Sequence, residues 1–501
     1  MIPVVADILE RLRAASIVPR DITADSRAVV AGDVFAAWPG AATDGRRYIQ
    51  AAIDAGAAAV LWESGDGFDA GPLPVLSIPV RDLRGVAGHL AHEIHGCPSE
   101  LLWLAGVTGT NGKTTVTQML ARALQELGTP CALIGTLGNG FPGALESSRN
   151  TTPDALELHR LLAQYLAAGA RATAMEVSSI GLDQGRANGA LFDVAIFTNL
   201  TRDHLDYHRS MDAYSDAKLR LFDFPGMACC VINVDDPFGL QLARRLTAVG
   251  RKVIGYTLHT ENLDAVPGAR MLLGEGLHVG AAGMRFTLRW QQRSADLSVL
   301  QVAPFNVSNL LAVCGALLAH GAAFDDLLPV IARLRPPEGR MQLLGGVCEP
   351  LVVVDYAHTP DALAKVLDSL QATVKSRSGR LVCVFGCGGD RDPGKRPLMG
   401  EVVSRLADRA LVTSDNPRTE DPERIIDQVV SGSTGPIERI VDRAEAIRTA
   451  IREASANDVV VIAGKGHEAY QEVHGNRMPF SDLEYATTAL QGRQGSAGEP
   501  S

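Results

Sequence analysis

Runs of apolar residues alternate with amphipathic segments along most of this chain, and the pattern predicts an α/β protein. The segments LLWLAGVTG at 101–109, FDVAIFTNL at 192–200 and DVVVIAGKG at 458–466 are largely apolar. Such runs are typical of parallel strands that are covered on both faces. Helical segments lie between them, and one of these, PFNVSNLLAVCGALLAHG, is predicted to end at Gly321. Strands that alternate with helices predict parallel sheets.

The same pattern predicts three domains and a tail. A chain of 501 residues has room for about three domains of roughly 150 residues each. Residues 1–100 are predicted to form a small α/β domain, 101–335 a central parallel-sheet domain, and 336–490 a doubly wound, Rossmann-like domain. The Pro-Pro pair in RLRPPEGR cannot continue a helix and is the expected linker. Residues 491–501 are expected to form a disordered tail.

Charge and composition exclude several classes of protein. The formal net charge of -10 argues against a nucleic-acid-binding protein, because neutralising phosphates needs a broad surplus of Lys and Arg. No apolar run reaches the ~18 residues that a membrane span requires. The eight cysteines show no paired CxxC spacing, which indicates neither a zinc site nor a disulfide framework. We therefore expect a cytoplasmic protein with reduced thiols, and a monomer is the default expectation.

Lysine is scarce in this chain. Of 47 basic residues only seven are Lys, namely Lys113, Lys218, Lys252, Lys365, Lys375, Lys395 and Lys465. Because Arg occupies nearly every other basic position, a retained Lys is expected to do something that a guanidinium group cannot, such as reacting as an amine. Lys218 lies in the predicted helix DAYSDAKLRLF. A surface pair with Asp212 or Asp216 is the alternative for it, and the scarcity of Lys favours a functional role.

The segment GVTGTNGKTT at 106–115 has the context of a phosphate-binding loop, since it lies between an apolar strand and an amphipathic helix. Gly109 and Gly112 would let backbone N–H groups approach phosphate oxygens, and Lys113 would reach the terminal phosphates. Thr114 can bind Mg²⁺, so ATP is the expected ligand. Val107 stands where the strict GxxxxGKT pattern has its first Gly. A glycine-rich turn with an incidental Lys is therefore the alternative.

Acidic and histidine side chains follow two of the predicted strands. Glu176 ends the strand TAMEVSS, and the loop LTRDHLDYH after VAIFTN contains Asp203, His204, Asp206 and His208. Because carboxyl ends of parallel strands gather at one crevice, both groups are expected to face the phosphate loop, where a carboxylate suits Mg²⁺. A solvated acid is the alternative for Glu176. The histidines and Asp206 would also fit a zinc or manganese hydrolase, a rival hypothesis that a metal assay separates.

Taken together, TGTNGKTT, MEVSS, TNLTRDHLDYH and the following Lys218 resemble the Mur ligases of peptidoglycan synthesis. The resemblance extends over nearly the whole chain, through DSRAVVAGDVFAAWPGAATDGRRYI near the start and NTTPD, YAHTPDAL, GCGGDRDPGKRP, DNPRTEDP and AGKGHE further on. It implies three α/β domains: a small UDP-substrate-binding domain, a central P-loop ATP-binding domain, and a C-terminal Rossmann-like domain that binds an amino acid.

The resemblance also implies a reaction. ATP would phosphorylate the carboxylate of UDP-N-acetylmuramoyl-L-alanyl-D-glutamate to an acyl phosphate, and the amine of meso-diaminopimelate would attack it to give the amide, ADP and phosphate. Lys113 and two Mg²⁺ ions would neutralise the transferred phosphoryl group. Lys218 would be carbamylated and would support the second metal or the intermediate. The implied catalytic set is Lys113, Glu176, His204 and Lys218, and the implied metal ligands are Thr114, Glu176, His204 and Lys218.

By the same resemblance, three sets of residues would bind the substrates. The ATP set is Gly109, Thr110, Asn111, Gly112, Lys113, Thr114, Thr115, Asn306, Asn309, Arg340, Asp355 and His358. The set for the UDP substrate is Ala24, Ser26, Ala41, Ala42, Thr43, Asn150, Thr151, Thr152, Ser178, Gln184 and Arg186. The set for meso-diaminopimelate is Arg391, Asp415, Asn416, Pro417, Arg418, Gly464 and Glu468. Ala24 and Ala41-Ala42 depart from the family pattern, which leaves backbone contacts for uridine recognition there.

The motif DNPRTEDP at 415–422 carries the expected substrate selectivity. Part of it is predicted to start a helix, with Asp421 as the cap and Pro422 at the first position. That prediction does not account for Arg418. In the resembled family the motif marks members that add meso-diaminopimelate rather than lysine. A guanidinium group can bind the second carboxylate of that substrate with two hydrogen bonds.

Two other functions are alternatives. Folylpolyglutamate synthetases share the ligase core but lack the N-terminal DSR segment and the DNPR motif. A P-loop switch or ATP-gated binding module would turn over ATP slowly and without regard to any amine. Phosphate release measured with and without both acceptor substrates separates all three. A dinucleotide-binding third domain is disfavoured, because GCGGDRDPGKRP lacks GxGxxG spacing.

Overall fold

The structure, a computed structural model, describes residues 2–40, 43–280, 283–346 and 348–496. The described residues form two compact units. The first comprises those of Met1–Leu272 and Leu311–Val330, and the second those of Leu273–Leu310 and Ile331–Ser501. Ala41 and Ala42, which were predicted to contact the UDP substrate, lie outside the described residues. The domain boundaries at residues 100 and 335 stay a prediction.

The first unit begins with a four-stranded parallel sheet in the order β1-β2-β3-β4. Neighbouring strand residues such as Val34 and Phe35 belong to different buried clusters, so helices cover both faces of this sheet. Its elements are α1 (Pro3–Ala14), β1 (Ile22–Thr23), β2 (Val34–Ala37), a 3₁₀ helix (Gly45–Tyr48), α2 (Ile49–Asp54), β3 (Ala59–Glu63), β4 (Leu76–Val80), α3 (Leu83–Ile94) and α4 (Pro98–Leu101).

The rest of the first unit is built on a larger sheet that positions the phosphate loop. Its elements are β5 (Trp103–Thr108), α5 (Lys113–Glu126), β6 (Cys131–Gly135), β7 (Gly138–Phe141), β8 (Ala144–Glu146), α6 (Ala155–Ala167), β9 (Ala172–Glu176), α7 (Ser179–Asp183), β10 (Val194–Phe197), α8 (Leu205–His208), α9 (Met211–Leu219), β11 (Cys229–Asn233), α10 (Pro237–Ala248) and β12 (Val253–Thr257), with 3₁₀ helices at Arg220–Asp223 and Thr260–Asn262. The strands of this unit run in the order β12-β11-β10-β5-β9-β6-β7-β8. All pairs are parallel except those that involve β7. Strand β5 therefore lies between β9 and β10, so the phosphate loop and the two predicted metal-ligand segments follow three adjacent strands.

The second unit contains a six-stranded sheet in the order β16-β17-β21-β18-β19-β20. Strand β16 is antiparallel, and the others pair in parallel. Val352 and Val353 are consecutive in β17 yet belong to different buried clusters, which shows that helices cover both faces, as the doubly wound prediction requires. The remaining bounds are β13 (Arg270–Gly280), β14 (Gly283–Trp290), β15 (Arg293–Val299), α11 (Pro304–His320), α12 (Phe324–Arg333), β16 (Gln342–Gly345), β17 (Leu351–Asp355), α13 (Pro360–Arg377), β18 (Leu381–Cys387), α14 (Lys395–Leu406), β19 (Arg409–Ser414), α15 (Pro422–Val430), β20 (Glu438–Arg439), α16 (Arg443–Glu453), β21 (Val459–Ala463), β22 (Tyr470–Val473), β23 (Asn476–Pro479) and α17 (Asp482–Ser496).

Several local predictions are confirmed by the element bounds. Helix α11 ends at His320, directly before Gly321. Helix α15 starts at Pro422, and the side chain of Asp421 accepts a hydrogen bond from the backbone N–H of Glu423. Strand β5 starts two residues later than the apolar run suggests, because Leu101 closes the short helix α4. Helix α17 extends to Ser496, into the segment that was assigned to the tail.

Among the described residues, no helix is both long enough and apolar enough to cross a membrane.

Candidate active site

The phosphate loop joins β5 to α5 and packs tightly against the end of β10. Gly109 has a φ of 145°, and a Cβ atom at this position would overlap the Thr198 hydroxyl. Only glycine therefore fits, because it lacks the Cβ and tolerates this backbone conformation. Gly112 precedes the first turn of α5, so the loop ends at the amino end of that helix, where an anion is favoured.

Residues at the carboxyl end of β10 hold this loop by hydrogen bonds. The backbone N–H groups of Thr110 and Asn111 donate to the backbone and side-chain oxygens of Asn199, at 2.8 and 2.9 Å. The Thr198 hydroxyl donates to the Asn111 carbonyl at 2.6 Å. Thr110 Oγ1 lies 3.1 Å from the hydroxyl of Tyr214. The sequence predicts no role for three of these residues, namely Thr198, Asn199 and Tyr214. Thr198 and Asn199 belong to the TNLTRDHLDYH segment.

Glu176 is a predicted metal ligand whose carboxylate accepts hydrogen bonds from two threonines. Its side chain is buried, and Oε2 accepts a hydrogen bond from the Thr114 hydroxyl at 2.9 Å. Thr136, which sequence reasoning missed, donates its backbone N–H to Oε1 at 2.8 Å and its hydroxyl to Oε2 at 3.2 Å. The structure thus brings together Thr114 and Glu176, as expected. Two hard oxygen donors in a buried position fit a Mg²⁺ ion.

Two lysines converge on the backbone of the phosphate loop. Lys113 Nζ donates to the carbonyls of Gly109 and Thr110 at 2.9 and 2.8 Å. Lys218 Nζ donates to the same Gly109 carbonyl at 2.8 Å. Lys218 is buried, with its Nζ 4.4 Å from the centroid of the Tyr214 ring. Burial, reinforced by the nearby charge of Lys113, holds the pKa of Lys218 well below its ordinary value of 10.5.

His204 lies at the rim of this region. It precedes α8 with a φ of 51°, and its ring lies 6.3 Å from that of Tyr214, centroid to centroid. Its backbone N–H donates to Asp203 Oδ1 at 2.9 Å, and Nε2 lies 3.5 Å from Asp203 Oδ2. The His204 side chain is about half exposed, at 45 %. His204 is therefore near the loop but, unlike Glu176, is not fixed by buried partners.

The zinc or manganese hydrolase hypothesis loses support from the geometry. His208 is buried, and its Nε2 lies 3.0 Å from the Ser179 hydroxyl. Within the described residues, the ligand atoms of His204, Asp206 and His208 do not gather within 4.8 Å of one another. A group that does, His92, Cys97 and Glu100, belongs to the small N-terminal sheet region. His92 there pairs with Glu100, and the Cys97 thiol donates to Glu93, which accounts for their proximity.

The residues expected to hold the muramoyl dipeptide are linked to Glu176. The Thr152 hydroxyl donates to the Glu176 backbone carbonyl at 3.0 Å and lies 3.1 Å from Ser178 Oγ. Arg186 donates to the Thr152 carbonyl at 3.0 Å and binds Gln184 Oε1 through two hydrogen bonds at 2.9 and 2.7 Å. Burial lowers the pKa of Arg186. The network presents a guanidinium group close to the segment that carries Glu176, the predicted metal ligand.

Two more members of this predicted set have looser surroundings. Thr151 Oγ1 lies 3.1 Å from the Thr136 hydroxyl, so it also joins the Glu176 network. Asn150 is exposed, and its carbonyl accepts a hydrogen bond from the Ser148 hydroxyl at 2.6 Å.

The predicted uridine contacts belong to the small N-terminal sheet region. Ala24 is exposed and Ser26 half-buried in the turn after β1. Thr43 Oγ1 lies 3.3 Å from the hydroxyl of Tyr48. These positions are accessible, and Ala24 has no polar side-chain atom to offer a uracil ring.

The second unit contains the other predicted ATP contacts. Asn306 and Asn309 are buried in the first turns of α11, with Asn309 Nδ2 3.2 Å from Asn306 Oδ1. Asn306 Nδ2 has no hydrogen-bond partner among the described residues. Arg340 lies over the Tyr356 ring at 4.5 Å from its centroid. These side chains offer amide and guanidinium donors of the kind that bind a nucleotide.

Asp355 and His358 flank the same tyrosine. Asp355 is buried at the end of β17, and its two oxygens accept hydrogen bonds from the backbone N–H groups of Met341 and Ala357, both at 2.8 Å. Burial nevertheless raises the pKa of Asp355 above its ordinary value. His358 Nδ1 lies 2.8 Å from the Tyr356 carbonyl.

The residues expected to bind the amino acid are brought together at the carboxyl ends of β19 and β21. Asn416 Nδ2 donates to Glu468 Oε2 at 2.7 Å. The backbone of Arg418 pairs with Val473, so the segment from Asp415 to Arg418, including Pro417, is docked on the chain that follows Gly464. Lys465, for which the sequence predicts no role, is buried among these residues.

Arg391 and Arg418, the two arginines that are predicted to bind the amino acid, both lie next to Gly388. A Cβ atom placed on Gly388 would lie 3.0 Å from Arg418 Nη1 and 3.9 Å from Arg391 Cγ. Arg418 Nη1 donates to the Gly389 carbonyl at 2.6 Å. Arg391 is exposed, and Arg418 is half-buried with a φ of 52°. Arg391 and Arg418 therefore place two cationic side chains next to Gly388.

Three family models match the chain in succession. Residues 20–95 match the catalytic domain of the Mur ligase family, 107–317 the Mur ligase middle domain, and 339–466 the glutamate ligase domain of Mur ligases. Together with the parallel sheets described above, these matches confirm the three-domain α/β fold class that was predicted from the sequence.

Curated relatives and a solved structure match nearly the full length. The chain is 51% identical to the UDP-N-acetylmuramoyl-L-alanyl-D-glutamate--2,6-diaminopimelate ligase of Pseudomonas syringae pv. tomato over 476 residues, which cover 94% of this chain and 95% of the relative. It is 50% identical, with the same coverage, to the ligase of that name from Pseudomonas aeruginosa. A solved structure of a ligase of that name is 38% identical, with a TM-score of 0.71 over 95% of each chain.

Proposed function

The chain belongs to the Mur ligase family, and from this we propose that it is an ATP-dependent amide ligase of peptidoglycan precursor synthesis. It joins meso-diaminopimelate to UDP-N-acetylmuramoyl-L-alanyl-D-glutamate. The observation that carries the proposal is the identity of about half of all residues, along nearly the whole chain, to relatives named for that reaction. The expected setting is the cytoplasm.

The first chemical step is phosphoryl transfer from ATP to the acceptor carboxylate. The attacking carboxylate oxygen forms a bond to the γ-phosphorus, the bond to the β-γ bridging oxygen breaks, and ADP leaves. Lys113 would lie against the terminal phosphates and offset their charge. Thr114 and Glu176, whose oxygens are 2.9 Å apart, would hold Mg²⁺, which supplies positive charge to the phosphate oxygens when it is bound. The exposed His204 is the expected ligand of a second ion.

Lys218 suits carbamylation because its environment favours the neutral amine. Burial lowers its pKa, and a neutral Nζ can attack the carbon of CO₂, lose a proton and become a carbamate. The product is an anion in place of a cation, close to the phosphate loop. That anion would support the second metal ion or the phosphorylated intermediate. An Arg at this position could not undergo the reaction.

The second step is attack by the amine. Its nitrogen lone pair forms a bond to the acyl carbon, the bond from that carbon to the phosphate oxygen breaks, and the amine loses a proton. We assign Thr152, Ser178 and Arg186 to hold the acceptor, because their hydrogen bonds tie them to the Glu176 segment. Arg418 would bind the second carboxylate of meso-diaminopimelate, and Asp415 and Glu468 its ammonium group.

Phosphate release tests this proposal directly. With ATP and Mg²⁺, release should require both UDP-N-acetylmuramoyl-L-alanyl-D-glutamate and meso-diaminopimelate, and omission of either acceptor should reduce it to background. A product with the mass of the UDP-linked tripeptide should accumulate in step with phosphate. Release that proceeds equally without an amine would instead indicate a P-loop switch. Release that depends on folate and glutamate would indicate a folylpolyglutamate synthetase.

A further inference from the structure

Lys465 is a fully buried lysine at the predicted amino-acid site. It follows β21 by two residues, between Gly464 and Glu468, which are both expected to contact the substrate. Its side chain is 0% exposed. The only other lysine among the buried residues of the described chain is Lys218. In a chain that uses Arg almost everywhere else, a buried Lys here requires a specific reason.

The ammonium group of Lys465 connects three residues of the predicted site. Nζ donates to Asn416 Oδ1 at 3.0 Å and to Glu468 Oε2 at 3.1 Å. It also lies 3.8 Å from Asp415 Oδ1. Glu468 and Asn416 are bonded to each other as well, at 2.7 Å. The ammonium group of Lys465 therefore donates hydrogen bonds to two different side chains, and the carboxylate of a third lies within ion-pair distance.

The orientation of Asn416 follows from these bonds. Its Oδ1 accepts from Lys465 and, at 2.9 Å, from the backbone N–H of Glu472. Its Nδ2 then faces Glu468 Oε2. Without Lys465, Asn416 Oδ1 would lose one of its two hydrogen bonds. The Glu468 carboxylate, which also bonds to Asn416 Nδ2, would lose the positive charge that pairs with it.

Both carboxylates keep capacity for a further cation. Both hydrogen bonds to the Glu468 carboxylate reach Oε2, and among the described residues none reaches Oε1. The Asp415 carboxylate is buried and accepts no hydrogen bond from the described residues. It is also close-packed, since a Cβ atom on Gly464 would lie 2.5 Å from Asp415 Oδ2. The Asp415 oxygens and Glu468 Oε1 are therefore able to accept hydrogen bonds from a ligand.

We propose that Lys465 is a positioning residue for the amino-acid substrate, which fixes Glu468 and Asn416 so that Glu468 Oε1 and the Asp415 carboxylate face the substrate ammonium group. The inference rests on the proposed function. One buried cation between two carboxylates leaves one net negative charge, which the ammonium of the substrate then balances. Arg would bring a larger, planar group with donors in a fixed fork, which does not match three oxygens around one nitrogen.

The test compares the full-length wild type with Lys465→Met in the phosphate-release assay. The KM for meso-diaminopimelate should rise by roughly tenfold or more, as expected for loss of a charge-assisted hydrogen-bond network. The KM values for ATP and for UDP-N-acetylmuramoyl-L-alanyl-D-glutamate should stay within about twofold of wild type. Lys375→Met, on the exposed side of α13, is the matched control and should leave all three unchanged.

A double-substitution cycle and a charge-conserving variant complete the test. If Lys465 acts through Glu468, Lys465→Met should raise the KM for meso-diaminopimelate much less in a Glu468→Gln background than in wild type. Lys465→Arg keeps a buried positive charge, so it remains informative if the Met variant does not fold. Its KM for meso-diaminopimelate should also rise selectively.

Three outcomes would overturn the inference. They are a parallel rise of all three KM values, an unchanged KM for meso-diaminopimelate in Lys465→Arg, and full additivity with Glu468→Gln. When the wild type ligates meso-diaminopimelate, each of these outcomes refutes only the role of Lys465. Failure of the wild type to ligate meso-diaminopimelate would overturn the proposed function and this inference with it.

Discussion

Lys218 Nζ donates a 2.8 Å hydrogen bond to the backbone carbonyl of Gly109, so an amine from α9 lies directly against the phosphate loop. The same carbonyl accepts from Lys113. Two lysines that share one acceptor disfavour each other's charge, and the buried one is the more affected because it has lost its hydration. The two lysines are thereby linked through one carbonyl oxygen of the phosphate loop.

Replacement of Lys218 by Arg should abolish turnover. Arg can still donate to the Gly109 carbonyl, but its guanidinium group stays positively charged and cannot form a carbamate. We expect kcat to fall by at least about 100-fold, the loss that is usual when one group that stabilises charge in the transition state is removed. Phosphate release at saturating substrates measures the effect, and circular dichroism checks that the fold is retained.

The Lys218→Ala variant tests whether Lys218 acts through a carbamate or only by filling space in the fold. Short carboxylic acids such as formate or acetate should restore part of its activity, because they can occupy the position of the carbamate. Full activity of Lys218→Ala without any added acid would contradict the carbamate role. Removal of dissolved CO₂ should slow the wild type but not the rescued variant.

Gly109→Ala should damage nucleotide binding before it damages the fold. Its Cβ would overlap the Thr198 hydroxyl, and the φ of 145° is strained for any residue with a side chain. The loop must shift, and the affinity for ATP should fall by at least about tenfold, equivalent to about 1.4 kcal/mol. Titration with a fluorescent ATP analogue measures this. Gly128→Ala, after α5 at a φ of 84° with no heavy atom within 4 Å, is the control for backbone strain alone.

The parts of the site that could be predicted from the sequence are those with local signals. A strand, a glycine-rich loop and a Lys-Thr pair predict the phosphate loop, and Glu176 could be placed because it ends a predicted parallel strand. The structure shows that this strand, β9, lies next to β5. The resemblance to Mur ligases supplied the remaining candidates, and family membership is confirmed. The individual roles of those candidates stay predictions.

The residues that were missed are fixed by contacts between distant segments. Thr136 binds Glu176 from 40 positions away, and Asn199 binds the loop from 88 positions away. Both are common polar residues at strand ends, and no spacing rule marks them. Lys465 was noticed only as one of few lysines, because its contact with Asn416 spans 49 positions. Such pairings depend on strand order, which a single sequence indicates poorly.

The Arg396–Glu420 pair should make the stability of the C-terminal region depend on pH. Arg396 is buried and donates to both Glu420 oxygens, at 2.9 and 2.8 Å. These bonds lower the pKa of Glu420 from 4.5 to about 2. The carboxylate therefore stabilises the fold above its unfolded pKa, and this contribution is lost as the pH falls from about 4.5 towards 2.

Glu420→Gln measures this contribution. At neutral pH the substitution should lower the free energy of unfolding by about 2 kcal/mol, because it leaves the Arg396 charge buried with only a weak partner. Thermal melts across the acidic range should show the gap between the two proteins closing below about pH 4.5. A difference in melting temperature that stays the same at every pH would contradict a role of the ionised Glu420 carboxylate in stability. Glu423→Gln, exposed on α15, is the matched control.

Arg418 should decide which amine is used. In the wild type the half-buried Arg418 donates Nη1 to the Gly389 carbonyl at 2.6 Å. A substrate with two carboxylates can pair with the guanidinium group, whereas L-lysine would leave that group without a carboxylate partner. We therefore expect the wild type to prefer meso-diaminopimelate by about 10⁴ in kcat/KM. Competition between the two amines in one reaction, read by product mass, measures that ratio directly.

Replacing Arg418 should reduce this preference by losing the correct substrate rather than by gaining the wrong one. Arg418→Lys keeps a charge but cannot form two parallel hydrogen bonds, so the KM for meso-diaminopimelate should rise by about 100-fold. L-lysine should remain a poor substrate, because it still lacks the second carboxylate and the substitution creates no new contact for it. Arg424→Lys, exposed on α15, should behave as wild type. If the wild type accepts L-lysine as well as meso-diaminopimelate, Arg418 is not the selector, and its contact with Gly389 is structural.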